Sequence, residues 1–423
     1  MAYLIYFGLP VVLLALGFPI FLILLVTSIV AVLTVTDIPT DAIQTYMFGS
    51  LDNFPLLAVP FFVLAGEIMA QGGIARRIIA MVMAIVGGVR GSLAVTTVAA
   101  SELFGAMSHT AVGTVVAMGR MIYPSLKEGG YNERFAVGLI ASSGAIAVVI
   151  PPSIAMILYA VSAEQSAVQL FTAGILPSLL IGAIDAAFVI IYARLKGVPL
   201  GTKARWETIW KTSKEASWSL GTLAVIFGGI YGGVFTPTEA AGVAVIYSLF
   251  VTMVIYREVD IFRFWKILVD SAFLISQILL IVTSAGIYSW LLTTSGIPQQ
   301  IVNSINALHM SKWELLLILN VGLLIAGSFL EPPAAILILT PLLLPIVRGV
   351  GVNAIHFGII VAVNLSLGMY TPPFGLNLFS SQAIFNAPLS RIYLGVLPFL
   401  ALNFAALLII TYIPEISMVL LHH

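Results

Sequence analysis

Two double prolines, Pro151-Pro152 and Pro372-Pro373, interrupt apolar stretches that would otherwise read as unbroken helices. A proline inside a helix removes the hydrogen bond to the carbonyl four residues earlier. The first pair should therefore free the carbonyls of Ala147 and Val148, and the second those of Gly368 and Met369. In lipid each such carbonyl costs several kcal/mol unless a partner meets it. Broken backbone survives at membrane depth only where protein or a water-filled cavity surrounds it. One pair alone would be a kink satisfied by neighbouring helices; two pairs in register ask for more.

The register is a shift of 221 residues, which carries Pro124, Gly130, Asn132, Pro151 and Pro152 onto Pro345, Gly351, Asn353, Pro372 and Pro373. Across residues 101–153 only Leu103 and Ala141 add further identities, so the repeat rests on its helix breakers. Weak internal symmetry with paired breaks points to the binding site of a transporter.

Composition fixes the solvent. The chain is 60% hydrophobic and 9% charged, with mean hydropathy +1.11, against about 45–50% and about 25% in soluble domains. Its apolar runs suit helices crossing a core about 30 Å thick rather than the alternating strands of a barrel. The fold class is an all-α polytopic membrane protein with roughly 10–12 membrane segments. Residues 1–36 lack the basic start of a cleaved signal and read as one or two helices broken near Gly17 and Pro19, retained in the mature chain. Asp37, Asp41 and Asp52 mark a surface segment, and His422 and His423 are assigned no function.

Charges set the topology. Residues 55–70 cross and end at Arg76 and Arg77, and residues 78–89, too short to span, read as a helix lying in the interface. Between Arg90 and Arg120 the apolar run breaks at Gly105-Ala-Met-Ser-His-Thr110; with both ends basic, it reads as a re-entrant hairpin, the alternative being one tilted span. Residues 132–149 cross to the first proline break, and 168–193 return to a basic loop of Arg194, Lys196, Lys203, Arg205, Lys211 and Lys214. Trp206, Trp210 and Trp218 alternate with these charges, as in a segment at headgroup level. Spans at 220–234, 240–256 and 267–291 bring the second hairpin, 313–345, in from the opposite face. All 18 Lys and Arg except Lys312 and Arg348 then lie inside, the asymmetry expected of a correct topology. The repeats are therefore inverted, giving two re-entrant hairpins and two broken helices.

Sodium suits the freed carbonyls, because it prefers hard oxygen ligands. Ser108 and Thr110 at the first tip, Ser142 and Ser143 beside the first break, and Asn364, Ser366 and Thr371 beside the second add neutral oxygens. Glu331-Pro332-Pro333 starts a helix at the second tip, with Glu331 at its positive end. Helix starts facing inward would attract an anion. No Lys or Arg lies in the expected spans, so the anion would rest on backbone N–H groups, hydroxyls and a bound cation.

Glu67, Glu102, Asp185 and Asp270 are carboxylates in or near apolar runs and so candidates for function. Glu102 and His109, on one hairpin, could conduct protons or could pair with each other or with a neighbouring Arg. Thr236-Pro-Thr-Glu239 fits a capping box as well as a functional motif. Enzyme classes find little support. There is no cysteine and no HExxH, and Ser108 and His109 are adjacent and point to different helix faces. A GxxxxGK[ST] phosphate loop is also lacking, which excludes an ATP-driven pump of that type.

These residues resemble the large membrane subunit of tripartite ATP-independent periplasmic (TRAP) transporters, of the dicarboxylate/sialic acid permease type. The resemblance is carried by Ala65-Gly-Glu-Ile-Met69, Gly72-Gly-Ile74, Phe104-Gly-Ala-Met-Ser108, Gly138-Leu-Ile-Ala141, Ile150-Pro-Pro-Ser153, Glu164-Gln-Ser166, Phe235-Thr-Pro-Thr-Glu-Ala-Ala241, His356-Phe-Gly358, Val363-Asn-Leu365 and Thr371-Pro-Pro-Phe-Gly-Leu-Asn-Leu-Phe379. It implies a sodium-coupled elevator in the bacterial inner membrane, with no cofactor beyond the coupling ions and no enzyme activity. The implied partners are a small four-helix membrane subunit, a periplasmic substrate-binding protein, an organic acid anion and the lipid bilayer, not nucleic acid.

Carried over by position, the first sodium site falls at Ser108, Gly144, Ala147 and Pro151, and the second at Gly327, Gly368 and Thr371. Substrate candidates are His109, Thr110, Ser142, Ser143, Ser153, Glu331, Asn364 and Asn377. The implied division is scaffold at 1–50, 162–266 and 387–423, and transport domain at 51–161 (hairpin about 91–124) and 267–386 (hairpin about 313–347). The family commonly has Ser-Gly-Ser at the first tip, where this chain has Ser108-His109-Thr110, and an uncharged residue at position 102. A proton-coupled carrier using Glu102 and His109, or a stand-alone anion/sodium symporter, are the alternatives of the same architecture.

Overall fold

The computed structural model describes residues 2–36, 38–199, 201, 205–307 and 310–421. Asp37, Lys203, His422 and His423 lie outside the described residues. Among those described there are helices and connections but no strands. Seven helices are long and apolar enough to cross a membrane: Phe54–Gln71, Ala167–Leu195, Pro237–Ile255, Ile261–Thr294, Lys312–Phe329, Pro332–Gly349 and Leu389–Tyr412. Leu4–Ala15, Ile20–Thr34, Ile154–Ala163 and Ala354–Gly368 are apolar but shorter. The first two are divided where expected, at Gly17 (φ +80°) and Pro19.

Both hairpins form. Hairpin 1 pairs helix Ser92–Ser108 with helix Ala111–Glu128, and hairpin 2 pairs Lys312–Phe329 with Pro332–Gly349. The repeat is visible in local geometry as well as in sequence. Pro124 and Pro345 lie inside the second arms. Gly130 and Gly351 follow with φ +81° and +74°. Asn132 and Asn353 then cap the next helix, each accepting a backbone N–H through its side chain. Those helices, Glu133–Ala145 and Ala354–Gly368, run into breaks whose Pro-Pro bonds are both cis, and the chain resumes at Ile154–Ala163 and Leu376–Phe385.

The repeats interlock. The second arm of hairpin 1 packs on Leu376–Phe385, the helix after the other repeat's break, and the second arm of hairpin 2 packs on Ile154–Ala163. Ala167–Leu195 and Leu389–Tyr412, assigned to the scaffold from the sequence, pack against hairpin 1 and the pre-break helices. Phe54–Gln71 packs on the Pro237 helix, and Ile74–Val86 on Trp206–Tyr231.

Three boundaries depart from expectation. The amphipathic helix is Ile74–Val86, so Arg76 and Arg77 stand in its first turn rather than ahead of it. They are held there by Glu258, at 2.6 and 2.7 Å, with Arg77 also 3.5 Å over the Tyr256 ring. The Trp-rich segment and the span after it are one helix, Trp206–Tyr231, because no breaker separates residues 214 and 220. Ile261–Thr294 starts earlier than residue 267, since Asp260 caps it by accepting from the Arg263 N–H at 2.7 Å.

Candidate functional site

At the first tip the chain turns over in two residues. His109 takes the left-handed conformation (φ +55°) and returns its N–H to the Gly105 carbonyl at 3.0 Å, closing the first arm. Thr110 is extended and begins the second arm. Glycine adopts the left-handed conformation freely, and histidine is among the few other residues that take it at modest cost. Here the ring is held as well: Nδ1 lies 2.8 Å from the Pro152 carbonyl, and the imidazole packs edge-on to Phe62 at 4.6 Å. The tip is thus latched to the first break. Ser108 Oγ lies 2.8 Å from Thr114 Oγ1. Its carbonyl faces Gly66, where an added Cβ would come within 2.6 Å of that oxygen.

The other residues assigned to the first sodium site meet here. Gly105 packs against Ala147, and Gly144 against Val115 at the start of the second arm. The freed carbonyls, however, are mostly satisfied by the chain itself. Ser153 Oγ donates to Val148 at 2.6 Å, the Thr371 N–H to Gly368 at 3.1 Å, and the Asn377 N–H to Met369 at 2.8 Å. Among the described residues no donor reaches the Ala147 carbonyl. Of the four carbonyls that proline geometry names, three are met by N–H or hydroxyl donors from the turns that follow each break, which proline spacing does not reveal. A carbonyl keeps a second lone pair, so these bonds leave room for a cation.

The residues assigned to the second sodium site meet through backbone. Gly327, near the end of the first arm of hairpin 2, touches Gly368 so closely that a Cβ at 368 would lie 2.4 Å from the Gly327 carbonyl carbon. Thr371 Oγ1 donates to Leu367 at 2.8 Å, and the rings of Phe329 and Phe374 lie 4.9 Å apart, tilted by 37°. Gly327, Gly368 and Thr371 are thus brought together.

The substrate candidates divide. His109 Nε2 and Ser143 Oγ are buried without partners beside the first tip and break. Glu331 is exposed at the N-cap of the Pro332 helix and makes no capping hydrogen bond. Ser142 and Ser153 are buried and donate to Leu139 and Val148. Asn377 ties the second break to Ala141 at 3.0 Å. Asn364 has spent both amide protons, on Asn320 Oδ1 at 2.7 Å and Ile360 at 2.9 Å, and belongs to a buried network reaching Thr411. Glu102 does not meet His109: it packs against Gly182, one helical turn before the buried Asp185. Asp270 is exposed, and Glu67 accepts from Gln71. Thr236 and Glu239 form both bonds of the capping box. Ser311 and Glu314 form a second one, legible in the sequence but not singled out there.

Two inverted hairpins, each ending against the helix break of its own repeat, define a secondary carrier built on internal symmetry. The chain belongs to the TRAP transporter family as its large permease component. The family model for the tripartite ATP-independent periplasmic transporter, DctM component, matches residues 7–416. A C4-dicarboxylate TRAP transporter large permease protein, DctM, of Pseudomonas aeruginosa is 41% identical over 374 residues, 88% of each chain. An isethionate TRAP transporter permease protein, DctMQ, of Oleidesulfovibrio alaskensis is 39% identical over 382 residues, covering 90% of this chain and 60% of its own. In fold the chain is similar to the YdaH transporter of Alcanivorax borkumensis, with TM-score 0.68 and 15% identity over 96% of this chain and 98% of the other. The protein is a multi-pass inner-membrane permease and not an enzyme.

Proposed function

We propose that this permease takes up an organic acid anion, of the C4-dicarboxylate or sialic acid type, in symport with sodium. The observation that carries the reading is the seating of each hairpin tip on its own break, His109 on Pro152 and Gly327 on Gly368. One set of oxygens, Ser108 with the carbonyls of Gly144, Ala147 and Pro151, would hold the first ion; Gly327, Gly368 and Thr371 would hold the second. With no Lys or Arg at the tips, the sodium ions supply positive charge to the anion, aided by helix starts at Ala111 and Pro332. Binding of anion and cation then becomes interdependent, which is the physical requirement for symport.

The moving body in this reading is the interlocked pair of hairpins and broken helices, together with Ala167–Leu195 and Leu389–Tyr412, which pack on them. The N-terminal helices, Trp206–Tyr231 and the Pro237 helix form the static side. A crevice consistent with such a boundary, about 300 Å³ and apolar, is lined by Tyr6, Leu24, Tyr288, Leu330 and Leu342 among others. A small membrane subunit would enlarge the static side, and the DctMQ relative, whose extra length goes with a double name, favours that partnership. A periplasmic binding protein would deliver the substrate. The test is uptake into proteoliposomes holding both membrane subunits and the cognate binding protein. Replacing sodium by choline at constant pH should abolish uptake, and undiminished uptake would overturn sodium coupling.

A further inference from the structure

One buried polar cluster takes no part in the sites above. Glu102, on the first arm of hairpin 1, encloses Oε1 against Gly182 with no hydrogen-bond partner. One helical turn beyond Gly182, Asp185 is 0% exposed and its Oδ1 is likewise unpartnered. Asn403, 1% exposed on the Leu389–Tyr412 helix, donates Nδ2 to Asp185 Oδ2 at 3.4 Å and to Tyr370 Oη at 2.9 Å. Its own Oδ1 also lacks a donor. Three enclosed acceptor oxygens, from Glu102, Asp185 and Asn403, thus lie on neighbouring elements, each without a hydrogen-bond donor.

Among the described residues no Lys, Arg or His is bonded to either carboxylate. On the elements packed around them, Arg76 and Arg77 are engaged by Glu258, Glu133 by Arg391, Glu67 by Gln71, and His356 lies against Thr411. Arg120, Lys127, Glu128, Arg134 and Arg194 are exposed. Tyr370 is the remaining titratable group at the cluster. A buried Asp185 and a half-buried Glu102 whose Oε1 is enclosed one helical turn away, with no cation bonded to either, do not both stay ionised; the favourable arrangement holds one proton on the pair. A sodium ion is the poorer occupant, because the Asn403 amide protons already point at Asp185 and Tyr370, and a metal would sit against that positive end.

We propose that Glu102 and Asp185, supported by Asn403, form a site for a transported proton, separate from the sodium ligands. Glu102 is half-buried with only Oε1 fully enclosed, so water can reach the pair through it. As the proton enters, one O–H bond breaks in a hydronium ion on one aqueous side and one forms on a carboxylate; as it leaves, the carboxyl O–H breaks and an O–H forms on a water of the other side, with no change of oxidation state. Tyr370 immediately precedes Thr371, so the cluster shares the 368–371 turn with the second sodium site, and occupancy of one is placed to bias the other. The inference rests on the carrier reading but not on sodium coupling.

Infrared difference spectra of the purified membrane complex, taken across a pH titration, read the carbonyl stretch of a protonated carboxyl without requiring transport. The wild-type band should be lost in Glu102→Gln and in Asp185→Asn, and kept in the exposed control Glu128→Gln. In proteoliposomes, substrate addition should acidify the lumen, and both site variants should reduce that proton uptake to the level without substrate. A band that persists in both variants, a band displaced by sodium instead of by pH, or substrate-driven acidification unchanged in both would each overturn the proposal. Loss of the band in a variant that also loses its monodisperse elution is resolved by Asn403→Ala, which leaves both carboxyls but should shift the band's titration midpoint. An unshifted midpoint overturns the assignment. Failure of the choline test leaves these spectra unaffected, so the two readings fail separately.

Discussion

Ser366 Oγ donates a hydrogen bond of 2.7 Å to the carbonyl of Ala145, the residue 221 positions earlier. That separation is the repeat offset, so two equivalent positions touch and the pseudo-two-fold axis passes between them. The bond also joins the two helices just before their breaks. With each hairpin's second arm packed on the other repeat's post-break helix, neither repeat closes its site alone. A displacement at one tip is therefore felt at the opposite break.

Substituting Gly368 with Ala should weaken sodium dependence without unfolding the permease. The new Cβ would lie 2.4 Å from the Gly327 carbonyl carbon, and backbone on both sides leaves no flexible atom to give way. Overpacking of this kind costs about 1–3 kcal/mol, and about 1.4 kcal/mol is a tenfold change in an equilibrium constant. Uptake measured against sodium concentration should show a half-saturation raised about tenfold or more. An unchanged sodium curve would remove Gly327 and Gly368 from the ion site.

His109 should separate backbone freedom from side-chain bonding. His109→Ala keeps a side chain in the left-handed conformation, which costs roughly 1–2 kcal/mol, and loses the bond to Pro152, worth about 1 kcal/mol. His109→Gly loses the same bond but relieves the backbone. Thermal unfolding in detergent should rank wild type and the Gly variant above the Ala variant. Equal midpoints for Ala and Gly would mean that the tip is not fixed in the left-handed turn.

The Thr236–Glu239 box should prove structural. Each partner satisfies a backbone N–H of the other's end, at 3.3 and 2.8 Å. Thr236→Ala should cost about 1 kcal/mol of stability, while sodium and substrate half-saturation of the folded fraction stay at their wild-type values. A changed substrate half-saturation would return this segment to the binding site.

Much of this was legible because the constraints are local. Proline at 151–152 and 372–373 breaks a helix wherever it stands, and glycine at 130 and 351 and asparagine at 132 and 353 suit a positive φ and a helix cap; the eight positions keep matched geometry in the two repeats. The partners of the freed carbonyls were not legible, since Ser153, Thr371 and Asn377 reach them only after the chain has turned. The neighbour of Glu102 was hidden for a similar reason. Proximity along hairpin 1 suggested His109, whereas Gly182, against which it packs, and Asp185 one helical turn on arrive from a helix some 80 residues further along the chain. The hydrogen-bond partners of Asn364 were hidden too, since Asn320, which takes one of its amide protons, lies 44 residues earlier in the chain.

Asn364 and Asn320 should behave as a unit. The Asn364 amide donates to Asn320 Oδ1 at 2.7 Å, and Asn320 Nδ2 donates on to Thr411 Oγ1 at 3.1 Å, so one chain of bonds joins the Ala354–Gly368 helix, hairpin 2 and the Leu389–Tyr412 helix. All of its members are at most 1% exposed. Removing either amide strands the other in a dry interior, where an unsatisfied polar group costs about 1–3 kcal/mol; removing both strands less than the sum. Asn320→Ala and Asn364→Ala should each lower the unfolding midpoint, and the double variant should fall short of additivity by about 0.5–3 kcal/mol. Substrate half-saturation of folded Asn364→Ala should change far less than that of Gly368→Ala. Additive losses, or a selective collapse of substrate affinity in Asn364→Ala, would restore Asn364 as a substrate ligand.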